Sequence, residues 1–301
     1  MSAGQNKPPF KPAGRRGNLL VLAGAVLWGT TGTAQALAHA GGQPAAVGAL
    51  RLLIGGAARL AIAAFRKKLP KFSDLPLKRT LLAAGFIAVY QLCFFAAVAR
   101  TGVAVGTMVG IGSAPIFGGL LGAGLRKEKL GNAWLAATAL AMVGCVLMVG
   151  VRGSVTVDPL GIGLAVGAGL AYAAFTLVSK GLLEGQPPEA VSGVVFSLGS
   201  LLLLPVLFTS NLAWLGQVGG LLAMLHLGLV ATTLAYLLFT HGLQHIKVST
   251  ATTLSLAEPL TAGMLGVVIL GEQLTPVTVV GILLLFGGLA LITLKDSRAA
   301  S

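Results

Sequence analysis

The chain is poor in charge, and poorest in acid. Of its 301 residues only 10% are charged, and eight are Asp or Glu. A soluble domain carries about 25% charged residues, so a water-facing surface of ordinary composition is excluded. Cysteine is nearly absent. Cys93 and Cys145 both fall in apolar runs, where they read as small buried hydrophobes with no disulfide. No metal-ligand cluster, no phosphate loop and no Ser or Cys nucleophile with a His and an acid on facing segments is present, which argues against an enzyme and leaves no cofactor expected. Nor is there a sizeable polar segment of the kind a non-transporting membrane scaffold would use to bind partners. A membrane-embedded transferase would need clustered acids or histidines at the membrane face, and these too are missing.

What is present is apolar. Hydrophobic residues make up 55% of the chain and the mean hydropathy is +0.90, the composition of a polytopic all-α membrane protein. Ten apolar segments can be counted, at 18–39, 44–65, 77–98, 102–125, 131–151, 160–181, 188–209, 218–241, 247–270 and 276–294. The polar residues 1–17 precede a run too long for a secretory signal, which is expected to stay as the first span. Placing the N-terminus in the cytoplasm puts seventeen Lys and Arg on the inner segments and only Arg100 and Arg152 on the outer ones. That bias follows the positive-inside rule, absorbs the net charge of +13 without a nucleic-acid partner, and places both termini inside.

The chain is also a duplication. Adding 144 to the numbering pairs Pro115 with Pro259, Gly119 with Gly263, Gly122 with Gly266 and Glu128 with Glu272. Further out it pairs Pro44 with Pro188, Phe95 with Phe239, Gly144 with Gly288, and Trp28 with Tyr172. The organisation expected is a cytoplasmic tail 1–17, repeat 1 at 18–151, a linker 152–159, repeat 2 at 160–294 and a cytoplasmic tail 295–301. Five spans per repeat force the halves to cross the membrane in opposite senses. Such inverted repeats build secondary transporters, with the substrate site near the midplane.

Glu258 is the only acid well inside a span; its repeat mate is Ala114. Pro259 beside it has no N–H for the carbonyl of Ser255, which is expected to be free for a ligand, a water or a neighbouring helix. Ser255, Glu258 and Thr261 fall on one stripe that should face inward. An ionisable group at mid-membrane is a functional candidate by default, here as a proton carrier or cation site. Arg51 lies deep enough to need a partner: backbone carbonyls, the substrate or Glu258. Arg59, near the inner end of the same span, is expected to snorkel. Trp28, Tyr90, Gln91 and Tyr172 bring polar tips into the spans, as does Tyr236, and suit a metabolite cavity. His226 and His241 are weak candidates for proton relays. Glu128 and Glu272 are expected to cap or anchor the turns that follow their spans. Gly102, Gly106, Gly110, Ala114, Gly118 and Gly122 form a small-residue row, read as close packing on more than one neighbour or as a flexible helix broken at Pro115.

Ten spans in two repeats, Trp28-Gly29 in the first, Arg51 early in the second, Pro115 in the fourth, Glu258-Pro259 in the ninth and Gly271-Glu272 before the tenth resemble the EamA branch of the drug/metabolite transporter superfamily. The resemblance covers 18–294. It implies export of small metabolites by alternating access, from a cavity shared by spans 1 to 4 and 6 to 9, with spans 5 and 10 as support. The expectation is an inner-membrane exporter of amino acids or related zwitterions, a monomer or homodimer in the lipid bilayer, with proton coupling possible. Trp28, Arg51, Tyr90, Gln91, Tyr172, Ser255 and Glu258 would bind substrate; Glu258, Pro115 and Pro259 would couple or gate. An exporter of larger amphiphiles or metal-chelating metabolites is the alternative.

Overall fold

The computed structural model describes residues 14–38, 42–70, 75–149, 158–271 and 273–298. Ten helical spans carry the fold: α1 (Gly14–Ala38), α2 (Pro44–Phe65), α3 (Leu77–Gly102), α4 (Val105–Arg126), α5 (Asn132–Val149), α6 (Pro159–Leu182), α7 (Pro188–Phe208), α8 (Val218–Leu243), α9 (Val248–Val268) and α10 (Pro276–Arg298). Nine are long and apolar enough to cross a membrane, and α5 is the short one. Their starts follow from proline, whose missing N–H costs nothing at the first helical position: Pro44, Pro159 and Pro188 open α2, α6 and α7. Asp158 adds an N-cap to α6, accepting the N–H groups of Leu160 and Gly161. Of the expected linker only Asp158 and Pro159 are described; Arg152, Glu272, residues 1–13 of the first tail and 299–301 of the second lie outside the described residues.

α3 and α4 differ from the expectation of two spans joined by a short loop. The chain stays helical from Leu77 to Arg126 and turns at Gly102, whose φ of 80° and ψ of 160° suit glycine alone. Of the two readings of the small-residue row, the break at Pro115 does not occur: the helix passes through it, and Gly102 is the one non-helical residue inside. The glycine row does serve two partners. Gly110 approaches the Ala165 carbonyl of α6, while Gly118 packs on Thr252 of α9, as the roughly 40° drift per four residues requires.

The two repeats are related as inverted halves, and equivalent residues meet where the halves join. Trp28 and Tyr172, repeat mates, stand edge to face with centroids 6.1 Å apart. Gly144 of α5 packs on the backbone of Gly281 and Leu285, and its mate Gly288 of α10 on that of Ala137 and Ala141. Close approach at these small residues joins α5 to α10.

Candidate functional site

The site begins with a defect in α9. Helical hydrogen bonding from Val248 is interrupted after Leu254: Leu256 N–H reaches back only to Thr253 O (3.1 Å), and Glu258 N–H to Ser255 O (3.0 Å). The Ser255 carbonyl that Pro259 leaves without a partner is therefore taken by Glu258's own N–H, correcting the expectation of a free acceptor. The tightened turn points Ser255 at α6, where its hydroxyl is 2.7 Å from the Tyr172 hydroxyl. Glu258 follows one turn later. Its carboxylate has no hydrogen bond or ion pair among the described residues. Thr261 completes the inward stripe by packing on Gly29, where a Cβ would stand 2.7 Å from the Glu258 carbonyl oxygen. Gly29 thus lets α1 approach α9 at the level of the acid.

A second defect lies in α8. Residues His226–Leu234 wind as a π-helix, and the Thr233 hydroxyl donates to Gly228 O, five residues back, at 2.9 Å. Such bulges leave polar groups for other partners. Arg51 takes them: its Nε donates to Thr232 Oγ1 (3.0 Å) and its Nη2 to Ala231 O (3.3 Å). Of the partners considered for Arg51, the structure shows a backbone carbonyl and a hydroxyl, and no ion pair with Glu258.

Between these defects is a cavity of about 410 Å³, within the range of small-ligand sites. Its polar walls are Arg51 on α2 and Ser255 and Glu258 on α9; its aromatic floor is Trp28, Tyr90, Tyr172 and Tyr236. Trp28 is 4.6 Å from Tyr236, and Tyr90 5.6 Å from Tyr172, centroid to centroid. Trp28 Nε1–H and the Thr31 hydroxyl, both on the lining, find no protein partner among the described residues. From the floor the lining climbs to Gln35, Pro44, Val98 and Leu270 at one set of helix ends.

The opposite ends are tied together. Glu189 accepts from Arg66 (2.9 Å) and Lys68 (3.2 Å) and has His241 at 3.5 Å. Arg126 pairs with Glu184. Glu128 receives the N–H groups of Val248 and Ser249 and the Ser249 hydroxyl, so it caps α9, a helix about 120 residues on, and not the turn after its own span. Lys180 Nζ bonds Leu243 O (2.7 Å) and Gln244 O (3.0 Å). One end of the bundle is a cavity mouth, and the other a cationic face laced across the repeats.

Seven of the nine expected site residues, Trp28, Arg51, Tyr90, Tyr172, Ser255, Glu258 and Pro259, line this cavity. Two do not. Gln91 turns to α2, donating to Gly48 O at 3.3 Å, and Pro115 is held in the regular stretch of α4. Arg59 corrects the snorkelling expectation: it is wholly buried, its guanidinium 3.6 Å from the Phe196 ring centroid. Of the histidines, His226 Nε2 meets the Thr30 hydroxyl at 2.8 Å and His241 Nδ1 the Leu237 carbonyl at 2.7 Å. Glu189 was missed as a buried acid, with 1% of its side chain exposed. Its signal was in the duplication: the offset of 144 pairs it with Ala45, the same one-sided charge that marks Glu258 against Ala114.

Inverted repeats, broken helices and a polar cavity between them define a multi-pass membrane transporter. Residues 15–150 and 159–294 each match the EamA-like transporter family, and the chain belongs to that family. It is 46% identical over 277 residues to the uncharacterized transporter YwfM of Bacillus subtilis, covering 92% of this chain and 93% of that one. It is 28% identical over 295 residues to the uncharacterized inner membrane transporter YicL of Salmonella typhimurium, covering 95% and 98%. A solved crystal structure superposes with a TM-score of 0.80 over 95% of this chain and 99% of its own, at 22% identity, a likeness of fold.

Proposed function

We propose that the protein exports amino acids or related zwitterions across the bacterial inner membrane. The observation that carries this is the separation of charge in one cavity: Arg51 and Glu258 both line it, and neither is paired with the other. A zwitterion would put its carboxylate on Arg51 and its ammonium near Glu258, over aromatic walls that exclude water. Glu258 serves that amine or carries the coupling proton. The positive-inside rule makes the cationic face cytoplasmic, so the cavity is open to the outside and the Glu189 cluster closes the inner side. Alternating access then means parting Glu189 from Arg66, Lys68 and His241 while the mouth by Gln35 and Leu270 narrows.

Thermal unfolding of the purified protein with the L-amino acids, their methyl esters and the matching decarboxylated amines tests the assignment, because a ligand of the folded state raises the melting temperature. Stabilisation by amino acids alone, lost in Arg51→Ala, is the expected outcome. Stabilisation by amines or bulky amphiphiles and not by any amino acid would move the assignment to an exporter of larger amphiphiles.

A further inference from the structure

Arg59 lies eight residues beyond Arg51 on α2, about 12 Å further toward the cationic face. Nothing in the cavity reaches it: it is 0% exposed and absent from the lining. Its Nε donates to Gly55 O at 2.9 Å. Its Nη1 and Nη2 have no protein acceptor among the described residues. Phe196 at 3.6 Å and Tyr236 at 5.6 Å hold the guanidinium by its π faces, which offsets part of the desolvation but satisfies no N–H. Tyr236 also lines the cavity, so the same ring borders both the cavity and the Arg59 guanidinium. Ser197, next in the chain to Phe196, packs on Gly56, three residues before Arg59, and has a buried hydroxyl without a partner among the described residues.

An unsatisfied buried guanidinium is costly, and a purely structural cation would be expected to find acceptors for all five donors. With Nε occupied, the edge left free is the Nη1/Nη2 pair, which matches the two oxygens of a carboxylate. The geometry has a mate in Arg51, whose Nε and Nη2 are bonded to α8 while it faces the open cavity. We propose that Arg59 is a second oxyanion site, closed in this structure, which takes the carboxylate of the transported solute when the cavity opens to the cationic face. Arg51 and Arg59 then serve the two ends of one transport path, and Tyr236 is the partition that must swing between them. The identity of the anion rests on the zwitterion reading; the existence of the site does not.

Two arms separate these. In the first, Cys93 and Cys145 are replaced by Ala, Ser197→Cys is introduced, and proteoliposomes are treated with membrane-impermeant methanethiosulfonates, one bearing a sulfonate and one a trimethylammonium. Labelling from the cationic face should favour the sulfonate, and the ratio should fall at least about tenfold on adding Arg59→Gln. No labelling from that face, or a ratio indifferent to Arg59→Gln, overturns the site. In the second arm, uptake of a 14C-labelled L-amino acid mixture is measured with solute on either side. Arg59→Gln should raise KM about tenfold or more for solute presented at the cationic face and leave KM from the cavity face within about twofold; Arg51→Gln should do the reverse. Equal shifts on both sides in Arg59→Gln mean a structural pin and overturn the proposal. A parent protein that moves no amino acid overturns the zwitterion reading alone, and the labelling arm still decides Arg59.

Discussion

α4 and α9 occupy equivalent places in the two repeats, share a proline and a glycine pattern at an offset of 144, and behave differently. α4 runs through Pro115 as regular helix. α9 tightens at Ser255 and Leu256, just before Pro259, and carries the only acid on the cavity lining among the described residues. The same contrast separates α3 from α8, where only α8 contains a π-helical stretch. A proline therefore does not break a membrane helix by itself. In α9 the break coincides with a side chain that bonds across the bundle, since the Ser255 hydroxyl meets both Ala251 O (3.0 Å) and the Tyr172 hydroxyl of α6 (2.7 Å). The second repeat has taken the irregular backbone and the acids, Glu189 and Glu258. The first has kept regular helices and the deep arginines, whose mates are Val195 and Leu203.

Moving the acid across the repeats should have the largest effect. Ala114 is fully buried in regular α4, so Ala114→Glu places a carboxyl with no partner and should cost about 3–5 kcal/mol, read as a large drop in melting temperature. If the double variant Ala114→Glu, Glu258→Ala folds and transports like the parent, the two helices are interchangeable and the contrast drawn above is wrong. Next comes Glu258→Gln, which should leave melting unchanged and lower transport by at least about tenfold, since only the charge-bearing form is removed. Thr232→Val takes the acceptor from Arg51 Nε and should cost about 1.5–3 kcal/mol, whereas Leu92→Val, at the place in α3 that matches Tyr236, should be nearly neutral; equal losses would deny α8 its special status. Ser255→Ala removes the bond to Tyr172 and should cost about 1 kcal/mol.

The smallest effect tests the N-cap of α6. The Asp158 carboxyl is held below its ordinary value first by the hydrogen bond from Arg100, then by the N–H of Gly161. A carboxylate with a lowered folded value contributes stability above its unfolded pKa, near 3.8, and that contribution is lost as pH falls through the folded value. Melting of the parent should decline slightly more than that of Asp158→Asn below about pH 4; parallel curves would mean the cap is idle.

Much of the architecture was legible because membrane helices obey strong local rules. Apolar length located the spans to within a few residues, and the offset of 144 disclosed the repeats. The aromatic pair Trp28 and Tyr172 could be named because equivalent positions meet near a symmetry axis. Gln91 and Arg59 could not be placed the same way. A single residue's depth says how costly its burial is, but which neighbour it faces depends on helix rotation and crossing, which no local pattern in this sequence encodes.

By itself, then, the sequence determined the spans, the inverted duplication, the deep charges and the unequal halves, since hydrocarbon thickness and backbone satisfaction act on each segment alone. Only the tertiary structure decided that Ser255 O is recaptured by Glu258 N–H, that Arg51 is met by a π-helical turn, that Glu128 caps a distant helix, and that Arg59 is sealed behind Tyr236. Those outcomes depend on contacts between helices far apart in the chain, where packing fixes which polar groups find partners.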